Sequence, residues 1–264
     1  MSSTPTKRSA TVIKTGYAQS AALISIITVT FNDPEGLRST IKSLMESGPG
    51  NFELVIVEGA DPVDATAESV LLEILPDFPI TVVQGRDGGP YDAMNRGIIA
   101  SSGDWIWFMN SGDLFGPEVS MVQIENLLRN SNSSWLVGRA RVGQGSTARL
   151  KGFSSTADLL SGKYTPCHQS IIVRRDAFLI HGLFDTRFRI SADYDLMCKL
   201  GQIGDPLLTS VVLTHYLGGG ISDTRVIRRE FESATIRLRG VRKISLVPKE
   251  CLRFLVRVVR AVKS

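Results

Sequence analysis

Acidic side chains, amides and glycines gather at a few places in this chain. The most crowded is DGGPYDAMNRG (Asp87–Gly97), with two carboxylates, an amide and an arginine among three glycines and a proline. Three other clusters are Thr30-Phe31-Asn32-Asp33, Glu58-Gly59-Ala60-Asp61 and Asn110-Ser111-Gly112-Asp113, and a later run, ADYDL, adds Asp193 and Asp195. Carboxylates suit two kinds of chemistry, holding a hard cation through oxygen and taking a proton from a hydroxyl. Arginine suits an anionic group such as phosphate. Gly88 and Gly89 permit a tight turn, and Pro90 fits the first position of a following helix.

What must position these residues is legible in the apolar runs. LISIITVTF (23–31), FELVIVEG (52–59), ITVVQG (80–85) and DWIWFMN (104–110) are near-continuously apolar rather than alternating. That pattern predicts strands covered on both faces, as in a parallel sheet. Helical spacing lies between them: Leu37, Ile41, Leu44 and Met45 within 34–47, then 64–75 and 91–100. Alternating β and α units predict an open, doubly wound α/β sheet, mostly parallel and Rossmann-like, flanked by helices. Ligands of such sheets bind beyond the carboxyl ends of the strands, and each of the four runs ends in one of the four polar clusters. The clusters therefore predict one composite site. Beyond Asp113 the rhythm is less regular. A helix is expected over 117–129, strands over 135–142 and 170–176, a loop over 143–165, a helix opening at 193–200 and a last strand over 206–217.

Several classes are excluded. No Gly-x-Gly-x-x-Gly follows the first strand, and the loop TVTFNDPEG is bulky where a pyrophosphate needs close backbone approach, so a Rossmann dinucleotide site is not expected. No GxxxxGK[ST] occurs either. Cys167, Cys198 and Cys251 are odd in number and far apart, which suggests neither a disulfide framework nor a CxxC metal site. Cys167 adjoins His168, but nothing around the pair supports a Cys/His nucleophile.

The succession TVTFND, VEGADPVDAT, DGGPYDAMNRG, FMNSGD, ADYDL and GGGIS resembles the family 2 glycosyltransferases of the GT-A fold, in particular bacterial enzymes of colanic-acid and exopolysaccharide type. The resemblance spans about Leu23 to Ser222. It implies inverting transfer of a sugar from a nucleotide-diphosphate sugar to an acceptor hydroxyl, with a divalent cation, Mg²⁺ or Mn²⁺, offsetting charge on the leaving diphosphate. The family's Asp-x-Asp metal motif falls on Asn110–Asp113, where only Asp113 keeps a carboxylate; Asp113 is the implied metal ligand. A late histidine can complete the metal shell in such enzymes, and His215 stands in that region. The family's general base is the Asp of a Glu-Asp pair, here Ala192-Asp193. Asp193 is therefore the implied base, with Asp195 its rival or a brace for the helix. Thr30, Phe31 and Glu58 are expected near the donor's base and ribose, with Phe31 a stacking surface or a core residue. Asp87 and Asp92 would bind donor hydroxyls, with Asn95 beside them. Arg96 would face phosphate or pair with Asp92. Asn110 belongs with the donor contacts, and His168 and Gln169 resemble a His-Gln pair lining the acceptor side. GGGIS resembles a loop that closes over the donor.

Net charge is +4 but unevenly spread. Arg225–Ser264 holds 12 Lys/Arg against 3 Asp/Glu, net +9, while residues 1–224 hold 18 against 23, net −5. From residue 249, Lys249, Arg253, Arg257 and Arg260 fall on one helical face and Leu252, Leu255, Val256, Val259 and Val262 on the other, a basic amphipathic helix suited to an anionic membrane surface. The expected layout is a disordered lead-in over 1–20, a glycosyltransferase domain over 21–222 and a basic helical extension over 223–264. No apolar stretch reaches the roughly 18–20 residues of a membrane span, and the N-terminus lacks the apolar core of a secretory signal. The expected location is cytoplasmic, peripheral on the inner face of the membrane, with a glycan or lipid-linked acceptor and no nucleic-acid partner. Two other readings are a sugar nucleotidyltransferase and a non-enzymatic nucleic-acid binder. The first would want basic residues in the first loop, which has none before Arg38; the second would want aromatics among the tail's charges, and only Phe231 and Phe254 are there.

Overall fold

The computed structural model describes residues 11–15 (backbone only), 22–60, 66–218 and 225–239. Residues 1–129 and 130–264 form two compact units. The first contains, in order, β1 (Thr11–Thr15), β2 (Ile24–Thr30), α1 (Pro34–Glu46), β3 (Phe52–Glu58), α2 (Ala67–Ile74), β4 (Ile80–Gln84), α3 (Pro90–Ala100), β5 (Trp105–Phe108), the short β6 (Leu114–Phe115) and α4 (Met121–Arg129). Strands β4, β3, β2 and β5 lie side by side and parallel, and β1 pairs antiparallel with the outer side of β4. Their near-continuous apolar composition is explained by burial on both faces: β3 is buried at every position.

Register fixes the site edge. Thr30 of β2 lies opposite Glu58 of β3, and Glu58 opposite Gln84 of β4. On the other side Ile27 pairs with Phe108, and the ladder runs past β5, since the Ser111 N–H donates to the Val29 carbonyl (3.0 Å). At the opposite ends of these strands Glu53, buried, accepts hydrogen bonds from the Ser25 hydroxyl (2.6 Å) and the Ser102 hydroxyl (2.9 Å). That buried polar knot is satisfied only in one register. Helix α3 crosses β2 and β3 with Gly97 at closest approach: a Cβ there would overlap Ile27 Cγ2 and lie 3.3 Å from Val57 Cγ2.

The second unit contains β7 (Trp135–Val142), β8 (Arg149–Lys151), α5 (Thr156–Leu160), a 3₁₀ turn (His168–Ser170), β9 (Ile171–Arg174), α6 (Arg175–His181), α7 (Ala192–Ile203), β10 (Leu207–Tyr216) and α8 (Val226–Arg239). β7 is its central strand, parallel to β10 and antiparallel to β8 and β9. Trp135 and Leu136 on β7, Ile172 on β9 and Leu213 on β10 are all but inaccessible to solvent.

Four expectations are corrected. Within the supposed disordered lead-in, Thr11–Thr15 is a strand: Thr11, Val12, Ile13 and Thr15 are β-branched, and they complete the exposed edge of β4. The supposed loop 143–165 holds β8 and α5, which are too short to show a period; Ser155 caps α5 by accepting from the Asp158 N–H (3.0 Å). The run SIIVRRD is a strand only to Arg174, after which α6 begins. The helix expected from 117 starts at Met121. Residues 1–10, 16–20, the glycine run beyond Gly218 and the amphipathic segment from 249 lie outside the described residues.

Because Gly97 seats α3 on the sheet, Gly97→Ala should lower stability to urea by about 1–3 kcal/mol through overpacking. An unchanged denaturation midpoint would contradict this account of the helix's seat.

Candidate active site

The first unit holds Thr30, Phe31, Glu58, Asp87, Asp92, Asn95, Arg96, Asn110 and Asp113. After β2 the chain turns through Asn32, which adopts a positive φ of 49°, and enters α1. Asp33 caps α1 by accepting from the Gly36 N–H (2.9 Å), and Pro34 takes the first helical position. The other carboxylate oxygen of Asp33 accepts from the Ser111 hydroxyl (2.8 Å). Thr40, one face further along α1, donates to the Asp113 carbonyl (2.8 Å) and accepts from the Gly112 N–H (3.1 Å). Ser43 accepts from the Phe115 N–H (3.1 Å). Gly112 has φ +88°, a conformation open to glycine. Asn110–Asp113 is thus a tight turn, closed by the Asp113 N–H on the Asn110 carbonyl (3.0 Å) and held against α1 by three side chains.

This turn presents unmet polarity. Asp113 is buried, and α4 starts only at Met121, so Asp113 does not cap that helix. The Asn110 side-chain oxygen is enclosed without a hydrogen-bond partner, as are the hydroxyls of Thr28 and Thr30 on β2. Thr28 and Thr30, two apart on a strand, share a face. Each enclosed polar atom without a partner costs about 1–3 kcal/mol unless a ligand supplies the bond. Phe31 is 67% exposed, so it is a free aromatic surface at the end of β2 rather than a core residue.

Asp87 and Asp92 lie at the end of β4 and the start of α3. Asp87 accepts from the Gly89 N–H (2.8 Å) and sits so close to Gly59 that a Cβ there would overlap its carboxylate; two strand ends meet at this point. Burial pushes the Asp87 carboxyl above the ordinary aspartate value, with help from the Asp92 charge; the Gly89 N–H and Arg96 act against the rise. Asp92 accepts from the Gly88 N–H (2.9 Å) and pairs with Arg96 (3.2 Å), whose guanidinium also donates to the Gly85 (2.9 Å) and Arg86 (2.7 Å) carbonyls. Of the two roles open to Arg96, pairing with Asp92 is the one observed. Asn95 is half-buried on the same helix.

Glu58 requires a correction. It is fully buried, and its two oxygens accept from the Thr66 N–H (2.7 Å), the Thr66 hydroxyl (3.2 Å) and the Ala67 N–H (3.1 Å) at the start of α2. Its carboxylate satisfies orphan donors at a helix N-terminus and is not presented to a nucleobase.

The second unit holds His168, Gln169, Asp193, Asp195 and His215. Asp193 and Asp195 both lie in the first turn of α7. Asp195 is buried and pairs with Lys199 (2.9 Å), a brace along the helix. Asp193 is half-exposed, with one oxygen accepting from the Tyr194 N–H (2.9 Å). The His168 turn packs against β7 and β10, and its ring stands edge-on to Phe184. Burial holds the His168 pKa below the usual histidine value, against the nearby Asp193 charge, so the imidazole is neutral around pH 7. Gln169 is buried and accepts from the Cys167 thiol (3.0 Å). His215 Nε2 lies 3.0 Å from the Gly143 carbonyl. A carbonyl only accepts, so Nε2 carries the proton and Nδ1 is the nitrogen left for a ligand. Among the described residues no group of three or more His, Cys, Asp and Glu is arranged to hold a metal by itself.

With this geometry in view, the comparisons with known proteins are decisive. Residues 25–187 match the family described as Glycosyl transferase family 2. The chain belongs to this family. An uncharacterized glycosyltransferase of Mycobacterium tuberculosis is 31% identical over 210 residues, covering 78% of this chain and 79% of that protein. A PGL/p-HBAD biosynthesis glycosyltransferase of Mycobacterium bovis is 29% identical over 218 residues, covering 80% and 83%. The fold is shared with S. aureus TarS, residues 1–349, at a TM-score of 0.64 and 15% identity over 89% of this chain and 71% of that one. It is also shared with the mannosyltransferase PcManGT of Pyrobaculum calidifontis in complex with GDP-Man and Mn²⁺, at 0.61 and 13% over 85% and 65%. This chain is therefore a glycosyltransferase of GT-A type. Sequence reasoning placed Asp33 in the composite site without a role, and missed Thr28 and the α1 residues Thr40 and Ser43 that help hold the turn of this enzyme. Asp-Pro marks a helix start, and Thr40 interrupts the apolar face of Leu37, Ile41 and Leu44; those signals were available.

Two outcomes follow. A carboxyl whose folded pKa is raised binds its proton more tightly when folded, so its ionised form costs stability at neutral pH and that cost is relieved as pH falls through the raised value. Asp87→Asn should therefore raise the melting temperature at pH 7 while flattening the acid-side pH dependence of nucleotide-sugar affinity; a lower melting temperature would contradict the burial of that charge. Glu58→Ala should lose about 1–3 kcal/mol of stability, with nucleotide affinity per folded molecule unchanged within about twofold, as calorimetry on the folded fraction would read.

Proposed function

We propose that this family 2 glycosyltransferase transfers a sugar, with inversion, from a nucleotide-diphosphate sugar to an acceptor hydroxyl of a glycan or lipid-linked glycan in cell-surface polysaccharide assembly. The observation that carries the reading is the set of enclosed, unpartnered oxygens at one strand edge: Thr30 Oγ1 and Asn110 Oδ1 beside the buried Asp113. Support also comes from the neighbours of like fold: TarS has been solved with UDP and with UDP-GlcNAc, and PcManGT with GDP-Man and Mn²⁺.

The donor set fits a hard divalent cation. Asp113 offers a carboxylate and Asn110 an unmet amide oxygen, both ligand types that Mg²⁺ and Mn²⁺ take, with diphosphate oxygens and water filling the rest. When bound, the cation offsets the charge that grows on the diphosphate as it leaves. Phe31 offers the nucleobase an exposed ring to stack on, and Thr30 offers a hydroxyl. Asp87 and Asp92, with Asn95, receive donor hydroxyls; Arg96, paired with Asp92, holds that carboxylate in place.

Asp193 is the general base. It is the less buried carboxylate of its pair, and the Lys199 bridge lies on Asp195. As the acceptor oxygen bonds to the anomeric carbon, the bond from that carbon to the diphosphate oxygen breaks, the nucleoside diphosphate departs and the hydroxyl proton passes to Asp193. Neutral His168, near Asp193, adds no competing positive charge and with Gln169 lines the acceptor side. No described helix is long and apolar enough to cross a membrane. The excess of positive charge after Arg225 supports attachment to an anionic bilayer from the cytoplasmic side.

A thermal-shift screen of UDP-, GDP- and dTDP-sugars, with and without Mn²⁺, tests this. One nucleotide diphosphate should stabilise the protein in a metal-dependent way, and Asp113→Ala should abolish that effect. Asp193→Asn should keep donor binding while lowering turnover on the order of 10²–10⁴-fold. Full turnover in Asp193→Asn would exclude it as the base.

A further inference from the structure

We propose that Glu232, on α8, is a positioning residue for Asp193: it fixes the stretch of backbone from which α7 starts, and so sets where the base stands. This rests on the reading of Asp193 as base.

Glu232 is 5% exposed. One of its oxygens accepts from the Arg189 N–H (3.0 Å) and the other from the Ile190 (2.8 Å) and Ser191 (3.0 Å) N–H groups. Arg228, one turn earlier on α8, donates to the first oxygen (2.8 Å). Three successive backbone N–H groups converging on one buried carboxylate form a charge-assisted nest that tolerates little displacement. Ser191 is the N-cap residue of α7, yet its hydroxyl makes no cap bond; it donates to the Arg229 carbonyl (3.3 Å) and lies 3.3 Å from the Ser233 hydroxyl, both on α8. Asp193 follows two residues later, in the first turn.

Further contacts seat α8 on the same region. Arg237 is buried against Gly162, whose φ is +67° and where a Cβ would overlap the guanidinium. It also lies near Tyr194 and Cys198 of α7, and the Tyr194 hydroxyl donates to the Leu159 carbonyl (3.0 Å). Arg239 pairs with Asp185 (3.2 Å) and covers the Phe188 ring (4.4 Å). A link made only for stability could sit anywhere on α8, whereas this one closes on the residues that lead directly into the base. Burial alone would raise the Glu232 pKa; the Arg228 bond and the three N–H groups outweigh it and hold the carboxyl below the usual glutamate value. The family match ends at residue 187, so the helix that sets the base lies beyond the matched region.

The test uses the full chain with Glu232→Gln and Glu232→Ala, and Asp193→Asn alongside. Turnover is read as nucleoside diphosphate released from UDP- and GDP-sugars, per folded molecule, with amide hydrogen exchange over 189–196. Exchange at Ile190 and Ser191 should quicken about tenfold or more, kcat should fall about 10- to 100-fold, and donor KM should stay within about twofold. Glu232→Gln, which keeps one accepting oxygen, should fall between wild type and alanine; it carries the test if alanine does not fold. Faster exchange with unchanged kcat, or kcat and KM moving together, would overturn the proposal. If Asp193→Asn loses turnover and Glu232→Gln does not, the positioning role is wrong; if Asp193→Asn keeps turnover, the base assignment is wrong and the positioning role goes with it.

Discussion

Parallel pairing of β4, β3, β2 and β5 in a single register is the constraint from which the proposed donor side of this enzyme follows. With Thr30, Glu58 and Gln84 abreast, the loops that leave these strands emerge at one edge. The ladder beyond β5 brings Ser111 level with Val29, which delivers the Asn110–Asp113 turn to the same edge. Helix α1 then holds that turn through Asp33, Thr40 and Ser43. No side chain in the turn needs to find its place independently, because the strand before it and the helix beside it are both fixed by the core.

Local stability is given up at this edge. Thr28, Thr30 and Asn110 each enclose an oxygen with no partner, and Asp87 keeps a charge where burial disfavours it. Glu58 and Glu53, by contrast, are buried carboxylates with their bonds made. The difference between satisfied and unsatisfied buried groups separates scaffold from ligand site more sharply than residue type does. In the proposed mechanism the unsatisfied groups are those that the nucleotide, the cation and the sugar would complete.

Much of this was readable from the chain. Short continuous apolar runs rich in β-branched residues read as strands covered on both faces, so the parallel sheet of the first unit followed from LISIITVTF and FELVIVEG. Pro34 and Pro90 marked two helix starts correctly. What failed depended on contacts that residue type and spacing do not reveal. Glu58 at a strand end looks like a ligand until Thr66 and Ala67 are seen to bond it. Asp195 is buried and bridged to Lys199, the bracing role the sequence left open to it. β1, β8 and α5 were missed because segments of three to five residues carry no period of their own and are defined by what they pair with or cap. Glu232 carried no signal at all, since a glutamate among arginines on a helix reads as a solvated ion pair until the loop at 189–191 is placed against it.

The central claim is that Asn110 and Asp113 hold a divalent cation that also meets the donor's diphosphate. Anomalous scattering from Mn²⁺, in crystals of the full chain grown with a nucleoside diphosphate, measures this directly. The account predicts a single strong peak within coordination distance, about 2.0–2.6 Å, of the Asp113 carboxylate and of a diphosphate oxygen. Mn²⁺ bound with the nucleotide elsewhere, with Asp113 still enclosed and unliganded, would contradict it.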